Sequence, residues 1–251
     1  MSSLIFGFHA VEAILRREPN RIQSLWLQEG RRDKRIQALE ALARNQGVAL
    51  TLVGRAELDD MIDGRHQGVV ATVEGSGSRE VLDERGLLAH LQGIDQPLVL
   101  VLDGVTDPHN LGACLRSADA AGVSAVVVPK DRSADLGPTV SKVACGAAES
   151  IPFARVTNLS RTLETLKAAG LWLVGTTGEA DTTVYDQDLT GPLCLVMGAE
   201  GEGMRRLTLE NCDFLVKLPM AGTVESLNVS VATGICLFEA VRQRAQSLQR
   251  P

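Results

Sequence analysis

The stretch "PLVLVLDGV" (Pro97–Val105) decides the fold. It is a continuous apolar run bounded by a proline and by an Asp-Gly turn signal, the pattern of a strand buried on both faces. "NLGACLRSADAAG" (Asn110–Gly122) follows as a helix ended by Gly122, and "SAVVVPK" (Ser124–Lys130) is the next strand. Further along, "SKVACGAAES" reads as a short helix, "NLSRTLETLKAAG" as a helix capped by Asn158, and "LWLVGTT", "LCLVMG" and "FLVKLPM" as strands. "LNVSVATGICLFEAVRQRAQSL" is a long closing helix. Strands that alternate with helices imply an α/β unit around a parallel sheet covered on both faces.

Upstream the texture changes. "HAVEAILRR" is amphipathic, and "IQSLWLQEG" is short and apolar. "DKRIQALEALARNQG" is a helix with Asp33 as N-cap and Gly47 at its end, and "VALTLV" and "GVVATVE" are strands. The expected organisation is a small α/β domain over 1–75, a linker over 76–92 that starts in "GSGSRE", and a larger parallel-sheet domain over 93–251.

Composition narrows the function. The 251 residues are 45% hydrophobic and 22% charged, which is ordinary globular composition. No apolar run is long enough to span a bilayer, and the first residues lack the layout of a signal peptide. The five cysteines form no C-x-x-C and sit in apolar surroundings. They read as reduced core residues of a cytoplasmic protein without disulfides. The four histidines, His9, His66, His90 and His109, have no metal-ligand spacing, so no metal is expected. His109, after Pro108, reads as a turn histidine.

The net charge of −6 argues against non-specific nucleic-acid binding. It is unevenly spread. Residues 1–75 carry 10 basic and 10 acidic side chains, leaving 15 and 21 of the chain's 25 and 31 for the remainder. "GRRDKR", with Arg31, Arg32, Lys34 and Arg35, is the densest basic cluster. It is either a solvated helix start or an RNA-facing patch.

Ligands of an open parallel sheet bind beyond the carboxyl ends of its strands. Four loops there are rich in Gly, Pro or small polar residues: "DGVTDPHN" (Asp103–Asn110), "GTTGEAD" (Gly175–Asp181), "GAEGEGM" (Gly198–Met204) and "PMAGTVESLN" (Pro219–Asn228). The third reads G-x-x-G-x-G, not the dinucleotide G-x-G-x-x-G, and only a weak helical pattern follows it. Its Glu200 and Glu202 would repel a polyphosphate and suit a neutral or cationic ligand. Ser226, Asn228 and Ser230 lie at the mouth of the apolar closing helix, where Ser226 can serve as a plain N-cap. Arg116, among Leu, Ala and Cys, is either half of a buried ion pair, with Asp119 as partner, or aimed at an anion.

"DGVTDPHNLGACLRSADAAGV", "LVMGAEGEGM" and "LPMAGTVESLNVSVATGICLFEA" resemble the three signature motifs of the SpoU/TrmH branch of the SPOUT methyltransferases. "FGFHAVEAIL" and "HQGVVA" resemble the N-terminal domain of the subgroup that methylates a guanosine of 23S ribosomal RNA. "VPKDRSA", "KVACGAAES" and "VMGAEGEGMRRLT" strengthen that likeness. The resemblance implies an L30e-like RNA-binding domain, a C-terminal trefoil-knotted SPOUT domain and a homodimer. It also implies methyl transfer from S-adenosylmethionine to a ribose 2′-hydroxyl. It assigns Asn110, Arg116, Glu200, Ser226 and Asn228 to catalysis. Gly198, Leu218 and Leu227 would hold the adenosine through backbone groups, with Thr176 and Met220 lining the pocket. A cationic sulfonium donor accounts for the carboxylates of the glycine loop. In the family the arginine is the proposed general base, but a guanidinium stays protonated in proteins. Arg116 then positions phosphate and ribose, and Glu200 or a water takes the proton.

Three rival readings remain open on the residues. A Rossmann-type NAD or ATP enzyme would want an acidic residue about 20 positions past its glycines. A non-catalytic RNA-binding or ribosome-assembly factor would not need the polar cluster. A transfer-RNA 2′-O-methyltransferase would share it.

Overall fold

The computed structural model describes residues 2–31, 33–62, 66–74, 81–199 and 201–247. The chain divides into two compact units, Met1–Glu80 with Cys145–Ser150, and Val81–Ala144 with Ile151–Pro251.

In the first unit, β1 (Ser2–Phe6), β2 (Ile22–Gln28), β3 (Leu50–Val53) and β4 (Val69–Glu74) form a sheet in the order β1-β4-β2-β3. β4 is antiparallel to β1 and β2, and β2 is parallel to β3. The helices are α1 (Phe8–Arg17), α2 (Lys34–Asn45) and α3 (Arg55–Met61). α2 starts where expected, because the Asp33 side chain accepts the backbone N–H groups of Arg35 and Ile36. Its buried Ile36, Leu39 and Ala43 repeat at helical spacing and meet Val11, Leu15, Leu25 and Leu27 in one core. Periodicity does not single out β1, "SSLIF", which has no alternation of polar and apolar residues, or α3, "RAELDDM", which is too polar.

The second unit contains α4 (Glu84–Leu91), β5 (Leu98–Asp103), α5 (Pro108–Ala120), β6 (Ala125–Pro129), α6 (Pro138–Ala144), β7 (Phe153–Val156) and α8 (Leu159–Ala168). It continues with β8 (Trp172–Thr176), β9 (Thr182–Thr183), β10 (Leu193–Gly198), α9 (Arg206–Asn211), β11 (Phe214–Lys217) and α10 (Val229–Ser247). The short α7 (Ala147–Ser150) is grouped with the first unit. Seven strands run in the order β7-β6-β5-β10-β8-β11-β9, every pairing parallel. Every residue of β5 is buried. Val99 and Val101 pack against Leu87 and Leu91 of α4 and Leu163 and Leu166 of α8. Leu98, Leu100 and Leu102 face the opposite side by strand alternation, so β5 is covered on both faces, as its unbroken apolar run requires.

Three local expectations change. The second half of the expected linker is α4, capped by Asp83 and anchored in the core by Leu87 and Leu91. Leu82 pairs beside β7 at Ala154. "SKVACGAAES" forms two helices, because Cys145 (φ 53°) and Gly146 (φ 95°) leave the right-handed region. Cys145 is also exposed, unlike the core cysteines Cys114, Cys194 and Cys236. Burial raises the Cys194 thiol and pushes Cys212 and Cys236 up to about 12, so these three stay thiols.

Candidate active site

The parallel register brings all four loops to one edge. Gly198 at the end of β10 pairs with Asp103 at the end of β5. Val196 pairs with Gly175, and Thr176 at the end of β8 pairs with Val216 of β11, two residues before Leu218. Adjacent strands lie about 4.8 Å apart, so Gly198, Thr176 and Leu218 span a short arc of the carboxyl edge. The Thr176 hydroxyl donates to the Val196 carbonyl at 3.3 Å.

α5 and α10 start at the same place. The Asn228 Nδ2 donates to Asn110 Oδ1 at 2.9 Å across 118 residues of sequence. Further along both helices, Cys114 Sγ lies 3.6 Å from Thr233 Oγ1, and a Cβ on Gly234 would sit 3.6 Å from Ser117 Oγ. The two helices therefore run side by side in the same direction, and their N-terminal dipole ends meet over the sheet edge. Asp107 caps α5 through the His109 backbone N–H, which leaves the His109 side chain exposed in the first turn.

Asn228, not Ser226, caps α10. Its Oδ1 accepts from the Ser230 backbone N–H at 2.9 Å and from the Ser230 hydroxyl at 2.6 Å. Ser226 is exposed in the preceding loop, Leu227 is half-buried, and Met220 is exposed. Arg116 is exposed on α5, not sunk among the Leu, Ala and Cys around it in sequence. Glu200 lies outside the described residues.

The glycine loop is a tight hairpin: Ala199 and Gly203 exchange both backbone hydrogen bonds at 3.0 Å. A Cβ on Gly198 would lie 2.3 Å from the Gly203 carbonyl carbon and 2.4 Å from Met204 N. Glycine is thus required by the chain's own return. Gly201 (φ 77°) and Gly203 (φ 69°) supply the left-handed turn. α9 follows at once. The Arg205 backbone N–H at its N-terminus donates to Asp103 Oδ2 at 3.0 Å.

Asp103 and Arg205 are the pair that sequence reasoning missed. Asp103 is 1% exposed, and Arg205 reaches its Oδ1 through Nε at 2.6 Å and an Nη at 2.5 Å. The only available signal was a charged residue closing a fully apolar strand.

In the first unit, Arg31 pairs with Asp33 at 2.5 Å and donates to the Gln67 carbonyl at 2.6 Å. Lys34 and Arg35 are exposed at the start of α2, and Arg32 lies outside the described residues. An open cavity of about 390 Å³ lined by Val81, Leu82, Asp83, Lys130, Asp135 and Arg155 contains none of the expected site residues, and the Arg155–Asp135 ion pair neutralises much of its charge. Among the described residues, no three His, Cys, Asp or Glu side chains group as metal ligands, and no helix is long and apolar enough to cross a membrane.

Thr176, the half-buried Leu218 and Leu227 and the exposed Met220 lie near this edge, where the buried Asp103 carboxylate is paired with Arg205.

Comparison with known proteins gives the family. Residues 97–238 match the family model "SpoU rRNA Methylase family", and residues 4–77 match "RNA 2'-O ribose methyltransferase substrate binding". The 23S rRNA (guanosine-2'-O-)-methyltransferase RlmB of Pseudomonas syringae pv. tomato is 62% identical over 243 residues, 96% of each chain. RlmB of Escherichia coli (strain K12) is 60% identical over 246 residues, 98% of this chain and 100% of the other. The crystal structure of the SpoU methyltransferase AviRb from Streptomyces viridochromogenes, in complex with the cofactor AdoMet, superimposes with a TM-score of 0.73 at 28% identity. It covers 98% of this chain and 91% of AviRb. This chain belongs to the SpoU rRNA methylase family.

Proposed function

We propose that this protein methylates the ribose 2′-hydroxyl of a guanosine in 23S ribosomal RNA, with S-adenosylmethionine as methyl donor. The observation that carries the reading is the Asn110–Asn228 bond, which joins the first and third polar motifs at the carboxyl edge of the sheet. The near full-length likeness to RlmB names the substrate class. That likeness also disfavours the Rossmann, assembly-factor and transfer-RNA readings.

When bound, S-adenosylmethionine supplies an electrophilic methyl group on a sulfonium. Gly198, Leu218 and Leu227 hold the adenosine with backbone groups, and Thr176 and Met220 line its pocket. The chain's remaining task is to align a weakly acidic hydroxyl, roughly 3–3.5 Å from the carbon it attacks, and to accept its proton. Asn110 spends its carbonyl on Asn228, so its NH₂ group is the donor left to orient the ribose oxygen. The Arg116 guanidinium pins the adjoining phosphate and ribose. Glu200 takes the proton, and Ser226 orients the hydroxyl. Arg31, Arg32, Lys34 and Arg35 of the first unit contact RNA.

The protein works as a cytoplasmic homodimer, and the segment after β11 threads its own sheet as a trefoil knot. The insertion of β10 between β5 and β8 supports the knot. The exposed Val231 (51%) and Phe238 (49%), seven positions apart on α10, support the dimer.

Arg116→Ala tests the site. It abolishes methylation of unmodified 23S rRNA while leaving affinity for S-adenosylhomocysteine, measured by calorimetry, unchanged. A variant that methylates at the wild-type rate overturns the assignment.

A further inference from the structure

We infer that Asp103 and Arg205 are positioning residues that lock the cofactor-side hairpin onto the loop carrying Asn110. The inference rests on the methyl-transfer reading above and adds to it the device that sets the distance between the two halves of the site.

Asp103 cannot touch a ligand. It is 1% exposed, and both its oxygens are engaged by one residue. Whatever it contributes passes through Arg205, which follows the Ala199–Gly203 hairpin by two positions. Asp103 also begins the loop that leads to Asn110. Beside it, a Cβ on Gly104 (φ 91°) would lie 3.3 Å from the Ala199 side chain. The two loops thus touch at the hairpin's first residue and are bonded just past its last. α9 has no side-chain cap of its own, and the Asp103 carboxylate takes the backbone N–H at its start. One carboxylate therefore fixes the end of β5, the exit of the hairpin and the entry of α9.

A role in stability alone does not account for this choice. An ion pair with one partner fully desolvated contributes little net stability compared with apolar residues of the same volume. Its distinctive property is directional: a guanidinium and a backbone N–H on one carboxylate allow a single relative placement. Cofactor capture and nucleophile alignment both need that placement, because the hairpin is contributed to one and the Asn110 loop to the other.

The test uses the full chain with Asp103→Asn, Arg205→Gln and Arg205→Lys, and Arg206→Gln as control. Arg206 pairs with Glu210 on the exposed side of α9. Steady-state methylation of unmodified 23S rRNA is measured with cofactor and RNA varied separately, alongside thermal melting. In Asp103→Asn and Arg205→Gln the KM for S-adenosylmethionine rises and kcat falls, together costing about a hundredfold in kcat/KM, the scale of a misplacement of about 1 Å. The KM for RNA stays near wild type. Arg205→Lys, which keeps the charge, recovers part of the loss, and Arg206→Gln behaves as wild type. Folded Asp103→Asn and Arg205→Gln variants with wild-type kinetics overturn the inference. If Asp103→Asn melts below the assay temperature, Arg205→Gln, whose backbone N–H still reaches the carboxylate, decides alone. A wild-type protein that transfers no methyl group overturns the parent reading instead. The positioning role is then judged by S-adenosylhomocysteine affinity, which falls in Arg205→Gln if the role holds and is unchanged if it does not.

Discussion

Gly198 shows how one missing side chain shapes a site. The hairpin it enters returns so tightly that a Cβ would meet the Gly203 carbonyl carbon at 2.3 Å, against the rigid Gly203–Met204 peptide and no flexible group to yield. Gly198→Ala is expected to lower stability by about 1–3 kcal/mol, the range for overpacking a filled position, and to weaken S-adenosylhomocysteine binding. Urea unfolding and calorimetry check the two effects. Wild-type values in both would show that the loop can open without loss. The same scale separates two roles of Asn228. Its Oδ1 caps α10 through Ser230, and its Nδ2 bonds Asn110. Asn228→Ala loses both and costs about 1 kcal/mol of stability, as lost caps do. Asn228→Asp keeps the cap acceptor and therefore the stability, but it lacks the donor to Asn110, so its methylation rate falls. If Asn228→Asp has full activity, the Asn110 bond has no part in the chemistry.

At the scale of elements, the site is a consequence of parallel strands. Each β-α connection returns the chain to the same edge, so loops far apart in sequence meet at the carboxyl ends of β5, β8, β10 and β11. α5 and α10, packed side by side at Cys114–Thr233 and Ser117–Gly234, add two aligned N-termini to that edge. Much of this was legible. A short polar acceptor before an amphipathic run has one economical use, and the Asp33 and Asn158 side chains do accept the expected backbone N–H groups. α4 was not legible. "ERGLLAHL" is short, contains a glycine, and becomes a helix because Leu87 and Leu91 find a core made of α8 and the sheet. The cap of α10 was misplaced by two residues: Ser226 and Asn228 are equally good caps in isolation, and the bond from Asn228 to Asn110 selects between them.

At the scale of the molecule, two compact units divide the work. Residues 1–75 have balanced charge, while the remainder carries the excess of acid. RNA affinity in such a chain has to come from placed side chains more than from bulk attraction. Removing residues 1–80 is expected to leave a dimer by light scattering that binds S-adenosylhomocysteine as before. Its affinity for 23S rRNA in filter binding falls about a hundredfold, the scale of losing one of two tethered modules. Unchanged RNA affinity would place recognition in the second unit. A monomeric fragment would place the dimer contact in the first.

The sequence by itself determined the α/β class, the parallel sheet, the helix caps at Asp33 and Asn158 and the polar motifs at the strand ends. These depend on residues close together in the chain, where apolar period and capping chemistry act locally. Only the tertiary structure decided which polar groups meet. Asn110 finds Asn228 118 positions away, and Asp103 finds Arg205 102 positions away. Strand order and register bring those pairs within hydrogen-bond reach, and neither is written in any local pattern. Desolvation at Asp103 makes its ion pair specific, because a buried carboxylate must have its partner whatever the distance along the chain.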